Sequence, residues 1–210
     1  MNTSEHPIFL KSIDYIKTQL GITGLDFVQQ SVLERMIHSS GDFSFQGLLK
    51  FSPTACNQAM EALKKGVQIF TDTQMAKAAV SPMAKRTFNS NVQCILDMAP
   101  HSIDSSSTTR SAIGMRNIWL DLEKRGQFVN APIVVIGSAP TALMALLDLI
   151  DKGSPIPSLI IGMPVGFIGV SESKNRLLNS KYPHIVLEGS KGGASLASAA
   201  INALLKAAHN

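Results

Sequence analysis

The chain is poor in cysteine, with only Cys56 and Cys94 in 210 residues. Two cysteines make neither a disulfide framework nor a metal-type cluster, so a small secreted scaffold and a cysteine-built metal site are excluded. Both are expected to be small buried hydrophobes in a reducing, cytoplasmic setting. Aromatic residues are also scarce, at one Trp, two Tyr and nine Phe, and there is no run of Lys and Arg. A nucleic-acid partner is therefore not expected. The longest apolar stretch, around Leu159 to Val170, is interrupted by glycine and proline. It is shorter than the roughly 20 residues that span a bilayer, so no membrane partner is expected either. The opening MNTSEHPIFLKS has no basic segment followed by an apolar core, so a secretory leader is not expected.

What the chain does have is apolar residues, 45% of the total against 16% charged. That composition suits one full-sized domain over residues 1–210 with a large buried surface, part of it available for an oligomer interface. A net charge of +4 and a pI near 9.1 can serve nucleic acid, anionic lipid or a polyanionic small molecule, and leave a poly-acidic small substrate open.

The order of elements gives the fold class. Ile133 to Ile136 is a β-branched run suited to a strand buried on both faces. The turn Gly137-Ser138-Ala139-Pro140-Thr141 puts proline at a first helical position, and Leu143, Leu146, Leu147 and Ile150 follow at helical spacing. Leu159 to Ile161 is a second strand, which completes a βαβ unit. Strands are also predicted at Val67–Phe70, Val92–Leu96 and His184–Leu187. Five strands alternating with helices imply a mainly parallel α/β sheet covered on both faces, here over residues 67–208. Two helices precede it as an arm over residues 1–41, to be packed on the sheet or on a partner subunit. The first carries Ile8 or Phe9, Ile13, Ile16 and Leu20 on its apolar side. The second, capped by Asp26, carries Phe27, Val28, Val32, Met36 and Ile37. Phe43 to Phe51 is ambiguous and can be extended. Ser52-Pro53 reads as a cap and first helical residue, and Ser171 as the cap of a short helix.

Several residues have the chemistry for a site. His38 is the general acid/base candidate, in the last turn of its helix where the C-terminal dipole attracts a cation. Arg35 projects from the same side and can hold a carboxylate between them. A surface histidine at a helix end fits the same pattern. Asp72 follows the first strand of the sheet, where α/β enzymes place functional groups, but a helix N-cap reads equally well. Thr109-Arg110-Ser111, after the polar run from Ser105, can grip a carboxylate or phosphate, or simply cap a solvated helix. Gly192-Gly193 can offer backbone N–H groups to an anion, with Lys191 adding charge, or serve as a plain turn. Ser12 lies on an otherwise apolar helix. Gly162, Gly166 and Gly169 do not form G-x-G-x-x-G, and no G-K-[ST] follows them, so generic nucleotide binding is disfavoured. Ser138 and Ser195 lack a nucleophile elbow. No His/Cys spacing suggests a metal, and no cofactor is expected.

Taken together, these segments resemble the precorrin-8X methylmutase (precorrin isomerase, cobalt-precorrin-8 methylmutase) family. The resemblance rests on Gly162-Met163-Pro164-Val165-Gly166-Phe167 with Glu172-Ser173-Lys174, and on Ala139-Pro140-Thr141-Ala142-Leu143. Arg35-Met36-Ile37-His38, Phe51-Ser52-Pro53, Thr71-Asp72 with Met75, Thr109-Arg110-Ser111 and Gly192-Gly193 add to it. It implies a flavodoxin-like three-layer α/β/α sandwich with a five-stranded sheet, and a homodimer. It implies an isomerase of cobalamin biosynthesis, acting on a tetrapyrrole polycarboxylate without metal or organic cofactor. A methyl group would move from C-11 to C-12, giving hydrogenobyrinate or cobyrinate. His38 matches the family's proton donor and acceptor, Ser12 and Arg35 match substrate-binding positions, and Arg110 matches an arginine of the substrate pocket. Ser138, Thr108 and Ala79 depart from the family's usual Asn, Asn and Gly, which touches fine substrate contacts. The rival readings are a non-catalytic tetrapyrrole carrier of the same fold and a generic anion-binding α/β enzyme.

Overall fold

The computed structural model describes residues 6–102, 108–126, 128 and 130–210; Ser105, Ser106 and Ser107 fall outside them. The strands are β1 (Leu49–Phe51), β2 (Ile69–Thr71), β3 (Val92–Cys94), β4 (Ile133–Ile136), β5 (Leu159–Gly162) and β6 (His184–Leu187). The helices are α1 (Pro7–Leu20), α2 (Phe27–Ser40), α3 (Phe45–Leu48), α4 (Ala55–Lys64), α5 (Gln74–Thr87), α6 (Arg110–Lys124), α7 (Pro140–Asp151), α8 (Val170–Leu178) and α9 (Ala194–His209).

The sheet has six strands in the order β1-β6-β5-β4-β2-β3, one more than the five read from the sequence. The extra one, β1, pairs antiparallel with β6, Leu49 opposite Leu187 and Phe51 opposite Ile185. Its partner is distant in the chain, so no local pattern marks this three-residue edge strand. All other pairings are parallel. Numbered in chain order, the parallel strands run 2-1-3-4-5, the flavodoxin-like order. Its switch point falls between β2 and β4, where ligands of such sheets bind beyond the carboxyl ends.

Alternation along each strand builds two cores. Ile133 and Val135 of β4 face one way, with Ile69, Leu159, Ile161, Ile185 and Leu187, under α1, α2, α4, α5 and α9. Val134 and Ile136 face the other way, with Phe70, Ile160 and Val186, under α6, α7 and α8. Every residue of β4, β5 and β6 is buried, as two covered faces require. The alanines of α9, with Ala197, Ala200 and Ala203 buried, let α2, α4 and α5 pack closely on it.

The N-terminal helices pack on their own chain. Ile16, Leu20, Val32, Leu33, Met36 and Ile37 join the α9-side core. Asp26 forms a full capping box, accepting from the N–H groups of Val28 and Gln29 at 2.9 Å each. Phe27, expected on the buried face, is the first helical residue and is 84% exposed. Ile8 is exposed as well, and Phe9 takes the inner position. Two other helix starts differ from the sequence reading. Ser52 is bound to His184, so α4 begins later, after Thr54 in a left-handed conformation. The cap of α8 is Gly169, and Ser171 lies inside its first turn.

Candidate active site

The carboxyl edge gathers the turns that follow β2, β4, β5 and β6. Asp72, immediately after β2, is fully buried. Its Oδ2 accepts from the N–H groups of Ser138 at 2.6 Å and Ala139 at 2.7 Å, which bridges the switch point and holds the start of α7. Thr73 is the cap of α5, through a bond from the Ala76 N–H. Burial pushes the Asp72 carboxyl above its ordinary range, while the backbone N–H groups of Gly137, Ser138 and Ala139 pull it back. Asp72 thus touches the turn rather than open solvent. Its Oδ1 is buried with no hydrogen-bond partner among the described residues.

The turns after β5 and β6 interlock. Gly193 donates to the Met163 carbonyl and Gly166 to that of Ser190, at 3.0 Å each. Gly192 lies so close that a Cβ there would stand 2.1 Å from the Met163 oxygen. Lys191 donates to Asp42 Oδ2 and Ser44 Oγ at 2.7 Å each, and this contact draws Asp42 down to about 2. The charge expected at the glycine turn from Lys191 is therefore taken up by the segment after α2.

The sequence-predicted Ser12, Arg35 and His38 come together where α1 crosses the end of α2. Ser12 Oγ lies 2.9 Å from His38 Nδ1. A hydroxyl can donate or accept, so it can hold the ring in either protonation state. The other ring nitrogen bonds to nothing among the described residues. Phe9 meets the imidazole edge-on at 4.9 Å between centroids. The Arg35 guanidinium lies 5.2 Å from the Phe9 centroid, and Lys206 Nζ lies 5.4 Å from it. Arg35 has no carboxylate partner among the described residues, which leaves its fork able to bind an anion. Phe9 and Lys206 escaped sequence reasoning. Helical periodicity assigned the apolar side to Ile8 or Phe9 alike, and nothing local places Lys206 over a ring of α1.

Arg35 also lines a groove of about 330 Å³ with Ser39, Met75, Ala194, Ser195 and Asn202, between α2, α5 and α9. Arg110 and Ser111 open α6 on the opposite face of the sheet. Thr109 caps that helix and bonds to Thr141 of α7 at 2.7 Å. Arg110 Nε donates to the Pro100 carbonyl at 2.9 Å, and no carboxylate pairs with its guanidinium among the described residues. Among the described residues, no hydrogen bond or ion pair joins Arg110 to the His38 cluster. A larger cleft of about 700 Å³ lies along the β1 edge, lined by Phe51, Ser52, Lys181 and His184. It reaches the amino end of β6 and lacks an arginine, so the carboxyl edge is the better candidate for chemistry.

The chain is similar to known proteins over nearly its whole length. Residues 7–207 match the family model described as precorrin-8X methylmutase. The chain is 38% identical over 215 residues to a cobalt-precorrin-8 methylmutase of Synechocystis sp., covering 96% of this chain and 95% of that one. It is 35% identical to a precorrin-8X methylmutase of Pseudomonas aeruginosa over 94% of this chain and 93% of the relative. The crystal structure of a precorrin-8X methylmutase from Thermus thermophilus superposes with a TM-score of 0.83 at 33% identity, covering 96% of this chain and 95% of that one.

Proposed function

The chain belongs to the precorrin-8X methylmutase family, and on that premise we propose that His38 is its acid/base catalyst, held by Ser12 and flanked by Arg35. The protein is an isomerase of cobalamin biosynthesis that moves a methyl group from C-11 to C-12 of precorrin-8X or cobalt-precorrin-8. The observation that carries the assignment of His38 is its 2.9 Å contact with Ser12 beside an uncompensated arginine. His38 gives a proton to the macrocycle, which weakens the C-11–methyl bond. The methyl group migrates with its bonding pair to C-12, and the proton returns to His38, so none is consumed. Substrate and product have equal mass, and the absorption spectrum reads the change in conjugation. Purified chain with excess substrate should convert many equivalents. A spectral change that stops at one equivalent would mark a carrier.

Arg35 and Arg110 are assigned to substrate carboxylates, with Ser111 beside Arg110 and the Gly192 N–H as a donor, while the Gly193 N–H, engaged by the Met163 carbonyl, holds the turn. Asp72 serves the same ligand by fixing the turn at Ser138. Each charge-assisted contact is worth roughly 1.5–3 kcal/mol when buried. Arg35→Ala or Arg110→Ala should therefore weaken product binding about tenfold or more, and Arg→Lys should recover only part of it. Titration with product checks this; unchanged affinity in both alanine variants rules the assignment out.

The working unit is assigned as a homodimer of single-domain chains in the cytoplasm. A groove of about 330 Å³ is at the small end of ligand pockets and does not enclose a macrocycle with several carboxylates. Ile22 and Phe27 near the first two helices, and Phe167 and Ile168 in the loop after β5, are each more than 80% exposed. Such residues suit a covering partner. Light scattering should give twice the 22.5 kDa chain mass. A fully active monomer at micromolar concentration would exclude the dimer.

A further inference from the structure

Lys174 of α8 is 1% exposed, and its ammonium has no carboxylate partner among the described residues. It donates to two carbonyls of the β6–α9 loop, Gly189 O at 2.7 Å and Lys191 O at 2.6 Å. In a trans peptide the N–H points opposite to the C=O. Drawing those two carbonyls inward therefore turns the N–H groups of Ser190 and Gly192 outward. Neither N–H donates to any group among the described residues, and both belong to the loop that carries the candidate Gly192-Gly193 turn. Two outward N–H groups of alternate peptides over a buried cation offer an anion a pair of donors and a charge.

We propose that Lys174 is a positioning residue for substrate binding, which aims the Ser190 and Gly192 N–H groups at a substrate carboxylate and supplies the cation beneath it. The inference rests on the reading of this edge as the tetrapyrrole site and adds the part that fixes the loop. A buried ammonium without a counter-charge is costly, and an arriving carboxylate provides one. The charged groups nearby are already engaged. Arg176 pairs with Asp148 and Asp151, Lys191 with Asp42, and Glu188 with Lys50, while Glu172 is exposed on the outer side of α8.

Burial lowers the Lys174 ammonium from 10.5 to about 8. Between those values the unfolded chain binds more protons than the folded one, so the contribution of Lys174 to fold stability rises with pH. Binding that depends on the ammonium runs the other way and weakens over the same range. Stability and affinity should therefore move apart, which a purely structural lysine would not produce.

The test is product affinity in the His38→Ala chain, where no imidazole titrates at the site, at pH 7 and pH 9.5, with and without Lys174→Met. Parent affinity should fall about tenfold at the higher pH, as the charge-assisted contact is lost. Lys174→Met should be weaker by a similar factor at pH 7 and insensitive to pH, with its melting temperature preserved. An equal affinity of the parent at both pH values would overturn the inference, even if Lys174→Met fails to fold. So would a loss of affinity in Lys174→Met matched by an equal loss of stability. Absence of product binding at every pH would overturn the placement of the site, and this inference with it.

Discussion

Replacing His38 by alanine should leave a chain that folds and binds its tetrapyrrole but converts it about 10²–10⁴-fold more slowly, the usual worth of a positioned acid/base group. The imidazole is exposed in the last turn of α2, and among the described residues it bonds to one hydroxyl and meets one aromatic ring. Truncation there leaves no cavity and no buried orphan, so melting should change little. Ser12→Ala should cost less, because it loosens the ring without removing it. Single-turnover absorbance separates binding from conversion for all three chains. Near wild-type conversion by His38→Ala contradicts the assignment and places the acid/base group elsewhere.

Gly192→Ala should lower stability by about 2–4 kcal/mol, the sum of an overpacked contact and lost interloop hydrogen bonds. The added carbon would meet the Met163 carbonyl oxygen at 2.1 Å and the Pro164 carbonyl carbon at 2.9 Å. Both are backbone atoms, so the turns after β5 and β6 have to separate. The bonds from Gly193 to Met163 and from Gly166 to Ser190 go with them. For a chain of this size the melting temperature should drop by roughly 5–15 °C. Product affinity should fall as well, because the N–H groups of the loop lose their aim. Gly47→Ala is the control, since Gly47 is helical with nothing within 4 Å of an added carbon. Unchanged melting of Gly192→Ala beside that control would show that the two turns are not locked together.

These expectations draw on features of unequal visibility in the sequence. The central strands were legible because burial on both faces leaves an uninterrupted apolar run, and Ile133–Ile136 and His184–Leu187 form as read. Asp26 was legible because a capping box is local. The edge strand Leu49–Phe51 was not, since its stability comes from pairing with β6 far along the chain. The start of α4 was misplaced for a related reason. Ser52 looks like a cap, but its hydroxyl accepts from the His184 N–H at 2.8 Å, a contact that local pattern does not carry. Ser12 and His38 were separate candidates whose meeting depends on how α1 lies across α2. Lys174 closes the Glu172-Ser173-Lys174 segment, yet lysine is so rarely buried that the sequence gives no sign of an interior ammonium.

The central claim is an intramolecular methyl shift catalysed at the His38 edge. Its most direct measurement uses substrate labelled isotopically in the C-11 methyl group, incubated with the purified chain and an unlabelled external methyl donor. The account predicts that the label appears at C-12 in many equivalents of product per chain, undiluted by the donor, and that His38→Ala greatly slows its appearance. Label remaining at C-11, or a C-12 methyl derived from the donor, would contradict it.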